Sequence, residues 1–409
     1  MKKILMVTVA TVLAISASAQ TNRLVHTSPE SMGMDGTKLQ KIDSVMNHAV
    51  AAEEIPGGVV AVVRDDKIVY LKAFGNKQIV PSVEPMTTET IFDMASLSKC
   101  VGTTLSFMQL VEQGLVGLDD DVRHYLPDFA PWVDPKNPEH KVHITVQNLL
   151  THTSGLDAYI NVASFSKSHP DIQSRPDSLI HFIATEVGRN FEPGTDTRYS
   201  CLNFVTLQNI LQVVTGQKLC DYAQKNVFDR LGLEHTCYFP IGTKIDKNTL
   251  AMIAPTEVQK NGKPYRGEVH DPIANLLNLG NSGNAGVFSC AEDLAVVACA
   301  MMNGGECNGR RVLAPMTVKR MLGVPYGYPE DVERAIGWDN SYYASARGDL
   351  FPRETTFHHT GYTGTSLCFD TDSKTAVIVL TNRVHPNDGG AVSRTRWMIN
   401  NIVAGSILK

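Results

Sequence analysis

The sequence predicts an α+β fold: an antiparallel β-sheet flanked by helices, built from strands near both termini and interrupted by a large, mainly helical insertion. Three observations predict it. Strand pairs occur near each end of the chain, the stretch between them has helical periodicity, and 43% hydrophobic with 19% charged residues over 409 positions suffices to bury a sizeable core.

The elements follow in order. Lys2 and Lys3 precede an apolar run over residues 4–17 that ends in Ala17-Ser18-Ala19. This is the layout of a secretory signal peptide, too short to span a bilayer, so residues 1–19 are set apart, with cleavage predicted after Ala19 and a catalytic domain over 20–409. The chain is then expected in the periplasm or secreted, with no membrane span left. Losing two lysines moves the net charge from −5 to −7, and no basic run appears, which excludes an electrostatic nucleic-acid partner. Asp35 caps a helix whose Leu39, Ile42, Met46 and Ala49 recur three to four residues apart. Residues 58–63 form an apolar strand, Asp65-Asp66-Lys67 supply a turn, and 68–74 return as the second strand of a hairpin. A helix beginning at Ser96 carries Val101, Leu105, Met108, Val111 and Leu115, with Gly114 and Gly117 marking its end. Residues 365–369 and 375–380 form the second hairpin, and a helix over about 390–403 closes the chain.

Eight cysteines show no CxxC pair and no regular spacing, which argues against a zinc cluster or a dense disulfide framework. Cys220 and Cys237 would bridge only if their geometry allowed it.

Ser96-Leu97-Ser98-Lys99 is an S-x-x-K pattern, and residues three apart on a helix share a face. A serine hydroxyl becomes nucleophilic when a neighbouring base takes its proton, and a lysine amine does so if burial and nearby charges lower its pKa from about 10.4. At the start of a helix, backbone N–H groups and the dipole favour developing negative charge. By itself the motif equally describes an N-cap serine. Ser164-Phe165-Ser166-Lys167 repeats it in a polar stretch broken by His169-Pro170 and Arg175-Pro176.

The ordered landmarks are more specific: Ile55-Pro56-Gly57, residues 92–99, Leu149-Leu150-Thr151-His152-Thr153-Ser154-Gly155-Leu156, Pro193-Gly194, Tyr199-Ser200, Gly286-Val287-Phe288-Ser289 and His359-Thr360-Gly361. Over nearly all of residues 20–409 they resemble the serine β-lactamase-related family, which includes class C β-lactamases, DD-peptidases and esterase-like hydrolases. Val269-His270-Asp271 and Thr381-Asn382-Arg383-Val384-His385-Pro386 are most similar to its periplasmic esterase-like and muramyl-peptide amidase members. The resemblance implies a β-lactamase/transpeptidase-like fold, with an α/β lobe over about 20–95 and 335–409 and a helical lobe over about 96–334. It implies Ser96 as acylated nucleophile, Lys99 as its partner and Tyr199 as shared general base and acid, with Lys99 pushing the phenol toward phenolate. It also implies substrate contacts at Cys201, His359, Thr360, Gly361 and Tyr362, and an oxyanion hole from the Ser96 and Tyr362 backbone N–H groups. Gly361 is expected because a side chain there would crowd substrate. No cofactor or metal is implied.

Two positions depart from the family pattern. The Y-x-N motif reads Tyr199-Ser200-Cys201, replacing an amide that binds substrate with a weakly hydrogen-bonding thiol; Asn203, two residues on, does not simply replace it. The third motif has His359 where many β-lactamases have Lys, so a fixed charge becomes one expected to titrate near neutrality. Relatives often have His at the position of Asn284. His152 is expected to be a hydrogen-bonded structural residue, His270-Asp271 to join the cleft rim since HExxH-like metal spacing is missing, and Gly280, Gly283 and Gly286 to form a tight loop. The resulting expectation is an exported serine hydrolase whose partner is a small-molecule or peptide substrate, a cell-wall fragment, cut at a muramyl-peptide link or a D-alanyl-D-alanine terminus. Carboxylesterase, β-lactamase and a penicillin-binding or wall-binding protein without turnover are the alternatives.

Overall fold

The central strands are continuous apolar runs because both faces of the sheet are covered. The computed structural model describes residues 22–323, 334–341 and 346–409; the segment 1–19, expected to be a signal peptide, lies outside them. Near the amino terminus come strand β1 (Val25–His26), helix α1 (Lys41–Ala51) and strands β2 (Gly57–Arg64), β3 (Lys67–Gln78) and β4 (Glu84–Pro85). The middle contributes β5 (Phe92–Asp93), helix α2 (Leu105–Glu112), α3 (Cys201–Thr215), β6 (Cys237–Tyr238), β7 (Val287–Ser289) and α4 (Ala291–Met302). The chain ends with β8 (Thr356–Thr360), β9 (Ser366–Asp370), β10 (Thr375–Thr381) and α5 (Ser393–Ser406).

The main sheet runs β1-β3-β2-β10-β9-β8, with β4 beside β3. All its pairings are antiparallel except β1 against β3. The β2–β10 pair joins the two ends of the chain, setting Val60 opposite Val379 and Val62 opposite Val377. The pleat sends Val59, Ala61, Val63, Ile378 and Leu380 into the core that contains α4, whereas Val60, Val62, Val377 and Val379 meet Ile42 and Met46 of α1 and Ile399 and Val403 of α5. A smaller sheet of order β5-β7-β6 lies within the helical middle.

Local details sharpen the expected elements. The first helix is interrupted at Gln40, and Asp35 accepts from the Lys38 N–H at 3.0 Å. Asp65 and Asp66 both have positive φ, as a two-residue hairpin turn demands, so Lys67 belongs to the strand. The helix expected from Ser96 instead starts with a turn, passes through a π-helical stretch at Lys99–Thr104 and ends at Glu112; Leu115 lies beyond it, 48% exposed. All eight cysteines are free thiols, Cys220 and Cys237 among them. Among the described residues no helix is long and apolar enough to cross a membrane.

Candidate active site

Ser96 is held on a strained turn between β5 and the π-helical stretch. Ala95 just before it has φ 44°, a left-handed conformation that a residue with a Cβ rarely adopts. The buried Asp93 carboxylate stabilises this turn by accepting from the backbone N–H groups of Ala95 and His270, each at 2.8 Å. Two hydroxyls tie the same turn to the segment after β8: Thr363 Oγ1 donates to Asp93 O at 2.7 Å and Thr365 Oγ1 to Met94 O at 3.0 Å. Among the described residues, the backbone N–H groups of Ser96 and Tyr362 are not engaged in hydrogen bonds. They remain available as donors to an incoming carbonyl oxygen.

Lys99 is fully buried, one helical turn beyond Ser96. Its Nζ donates to Ser96 Oγ at 3.0 Å, Asn284 O at 2.8 Å and Cys201 Sγ at 3.5 Å, and lies 5.0 Å from the centre of the Tyr199 ring. Burial works against its charge, but the electrostatic influence of Cys201 and Tyr199 beside it outweighs burial and shifts the amine upward. This reverses the expected lowering: the lysine is held as an ammonium. The Tyr199 hydroxyl is buried with no hydrogen-bond partner among the described residues, and burial raises the phenol despite the opposing pull of Lys99. The expected push toward phenolate is therefore outweighed by desolvation.

The segment bearing Tyr199 is pinned by the 149–156 motif. Thr153 O accepts from Gly194 N at 2.8 Å, His152 O from Arg198 N at 2.9 Å, and His152 Nδ1 from the Ser200 N–H at 3.0 Å. His152 also faces the Tyr199 ring at 4.5 Å between centroids, and burial holds it well below the usual imidazole range. It is a neutral structural residue. Asn203 is turned away, donating to His152 and accepting from Ser154, so Cys201 alone faces the cleft at that motif.

At the other wall, His359 Nδ1 lies 2.9 Å from Thr360 O, and its Nε2 is buried without a partner among the described residues. Burial, reinforced by Arg334 and Lys99, lowers its pKa to about 3. The expected titration near neutrality is thereby overturned: His359 is neutral throughout the physiological range. The charge comes instead from arginines, of which only Arg383 lies in a sequence landmark. Arg334, Arg383 and Arg396 line one pocket with Ser96, Tyr199 and His359. Arg334 pairs with Asp339 at 2.9 Å and lies 5.4 Å from the Tyr199 ring centre; Arg383 pairs with Asp388 at 3.0 Å. Among the described residues Arg396 reaches only carbonyls, those of Thr365 at 2.7 Å and Gly361 at 3.3 Å, and burial lowers its guanidinium to about 9, still a cation at neutrality.

A second pocket shares Ser96, Tyr199 and Tyr362 with the first and is also lined by Tyr159, Cys201, His270 and Asp271. His270 and Asp271 thus join the cleft rim. Gly361 lines the Ser96 pocket and has a packing role as well: a Cβ there would strike Met94 O and Thr365 Oγ1, so the glycine permits close approach of two protein segments. Thr360 lines the arginine pocket. The second S-x-x-K lies apart in an exposed stretch of the helix Val162–Ser168.

The Beta-lactamase family model matches residues 42–399. A protein of Escherichia coli O157:H7 named "Putative D-alanyl-D-alanine carboxypeptidase" is 29% identical over 404 residues, spanning 91% of this chain and 89% of that protein. Among solved structures, EstCE1, a hydrolase with promiscuous acyltransferase activity, aligns with a TM-score of 0.68 at 23% identity over 90% of this chain and 99% of its own. Simvastatin Synthase from Aspergillus terreus aligns with a TM-score of 0.66 at 20% identity over 90% and 97%. Both structural likenesses are likenesses of fold.

Proposed function

The chain belongs to the Beta-lactamase family of serine hydrolases, and from that premise we propose that it is a carboxypeptidase of the D-alanyl-D-alanine type acting on peptides from the cell wall. One observation carries this reading. Three guanidinium groups line the pocket shared with Ser96, where a carboxylate just beyond the scissile amide would be received. The name of the E. coli relative supports the same substrate class.

The geometry supports an acyl-enzyme route. Ser96 Oγ attacks the carbonyl carbon as its proton passes to the Lys99–Tyr199 pair, which is competent once it has lost one proton. The Ser96 and Tyr362 N–H groups receive the oxyanion, worth several kcal/mol because the charge exists only in the transition state. The C–N bond breaks, the leaving amine takes a proton from Tyr199, and the acyl group stays esterified to Ser96. Water then attacks with its proton taken by the same pair, releasing the acid and restoring the serine. Arg334, whose guanidinium lies over the Tyr199 ring, disfavours any added positive charge there.

Mass spectrometry of muropeptides treated with wild type and Ser96→Ala tests the reading. Loss of a terminal D-alanine by wild type alone is expected, together with fluorophosphonate labelling that disappears in the variant. Cleavage at the muramyl-peptide link, or strong turnover of a chromogenic cephalosporin with no action on muropeptides, would replace the carboxypeptidase reading; equal labelling of both proteins would remove Ser96. The segment 1–19 supports export as part of the same proposal, and a mature protein beginning near Gln20 is expected by amino-terminal sequencing.

A further inference from the structure

The two pockets beside Ser96 are chemically opposed. One is arginine-rich; the other is lined by the rings of Tyr159, Tyr199, Tyr362 and His270 and by the carboxylates of Asp271 and Asp388, with no Lys or Arg in its wall. We infer that this second pocket is an ammonium site, so that the preferred substrate carries a protonated amine on its acyl half, held by Asp271 among aromatic rings. The inference rests on the serine-hydrolase reading above and adds the acyl-side specificity.

The two carboxylates are not equivalent. Asp388 is committed to Arg383 at 3.0 Å and to the Tyr362 hydroxyl at 2.6 Å. Asp271 uses Oδ1 to accept from Asn284 Nδ2 at 3.0 Å and from the Ala274 N–H at 2.9 Å, whereas among the described residues its Oδ2 has only the Tyr159 hydroxyl at 3.3 Å. A carboxylate oxygen with one long donor retains acceptor capacity for a charged N–H. Aromatic faces attract a cation through their quadrupoles, more strongly as water is excluded. Lys99 does not fill this role. Its amine is fully buried and donates to Ser96, Asn284 and Cys201, so a substrate ammonium would sit nearer the mouth, between Asp271 and the exposed ring of Tyr159; the Tyr362 ring already carries the Arg383 guanidinium 4.5 Å from its centre and stacks with His270. Cys201 contributes the complementary change, because a thiol offers a neutral amide little on this wall. Asn284 gains a function as well: it fixes Asp271 through its side chain while its carbonyl holds Lys99.

With arginines in one pocket at Ser96 and the Asp271 carboxylate in the other, a peptide bearing a free amine in its acyl half and a carboxylate in its leaving half is favoured in one direction. Hydrolysis of two esters of matched length, p-nitrophenyl 6-aminohexanoate and p-nitrophenyl heptanoate, reads the acyl half alone. Wild type is expected to prefer the ammonium ester in kcat/KM on the order of ten-fold. The preference should collapse toward unity in Asp271→Asn and persist in part in Asp271→Glu. A measurement on unaltered protein guards against misfolded variants: hexylammonium should compete with the heptanoate ester at lower concentration than hexanol does. Equal kcat/KM for the two esters in wild type, an unchanged ratio in Asp271→Asn, or equal inhibition by the amine and the alcohol would each overturn the ammonium site while leaving the Ser96 chemistry in place. Loss of all ester hydrolysis and of fluorophosphonate labelling at Ser96 would instead remove the underlying reading.

Discussion

At the residue scale, two buried groups set the expected pH dependence. Tyr199 is raised by burial, and Lys99 is shifted upward by Cys201 and Tyr199 beside it, so the proton that must leave their pair does so on the alkaline side of neutrality. The active form has one proton fewer, hence kcat/KM on a neutral p-nitrophenyl ester should rise with pH through and above neutrality; a profile that falls there would contradict the assigned base. His359 makes a separate prediction with the opposite outcome. Because its pKa is lowered to about 3, it gains no charge as the solution is acidified through the ordinary imidazole range. No inflection near pH ~6.5 should appear for substrates bound through a carboxylate, and one that vanished in His359→Gln would show that the ring does titrate. The sequence identifies His359 by its motif but misjudges its charge, since desolvation and Arg334 are properties of the assembled cleft. Arg334 itself carries no local signature, and only the fold brings it to the same pocket.

At the element scale, the decisive contact is between the turn carrying Ser96 and the segment following β8. Gly361 lets Met94 O approach, and Thr363 and Thr365 fasten the two segments with hydroxyl bonds. Gly361→Ala should push Tyr362 and Ser96 apart, misaligning both oxyanion donors, and lower kcat/KM by about 100-fold with a much smaller effect on KM. Steady-state kinetics beside circular dichroism checks this, and an active, well-folded Gly361→Ala would show that the approach is not required. Both hairpins were legible in the sequence because a strand buried on both faces reads as an unbroken apolar run and both turns concentrate Asp and Lys, at 65–67 and 370–374. The π-helical stretch at Lys99–Thr104 was not legible: apolar spacing of three to four residues suits an α-helix and a π-helix alike, and the choice is made by buried hydroxyls such as Thr104, which donates to Lys99 O at 2.7 Å. The link from His152 to Tyr199 was likewise hidden, since forty-seven positions separate two residues whose rings face each other.

At the scale of the whole molecule, burial of neutral histidines couples stability to pH. His152 lies well below the usual imidazole range, His358 at about 4 and His359 at about 3, in each case mainly through burial. In the unfolded chain the same rings titrate at about 6.5. Their folded values are depressed, so the unfolded state binds more protons below that point: stability is intact above pH ~6.5 and is lost as pH falls toward the folded values, by up to about 1.4 kcal/mol per pH unit for each ring. The carboxylates held low by ion pairs, Glu84 and Asp339, begin to lose their contribution only at lower pH. Asp93 and Asp293, raised by burial, act in the opposite sense and offset part of the fall. The net expectation is a marked drop in Tm on acidification from neutrality that begins before ordinary carboxylates protonate. His358 isolates the cause, because both of its ring nitrogens are buried without hydrogen-bond partners among the described residues. An apolar ring in its place sacrifices no hydrogen bond and removes one titrating group. His358→Phe should therefore keep its Tm at neutral pH and show a shallower dependence on acidification, measured by thermal denaturation across the range; a variant whose Tm falls as steeply as that of wild type would rule out the buried histidine as the source.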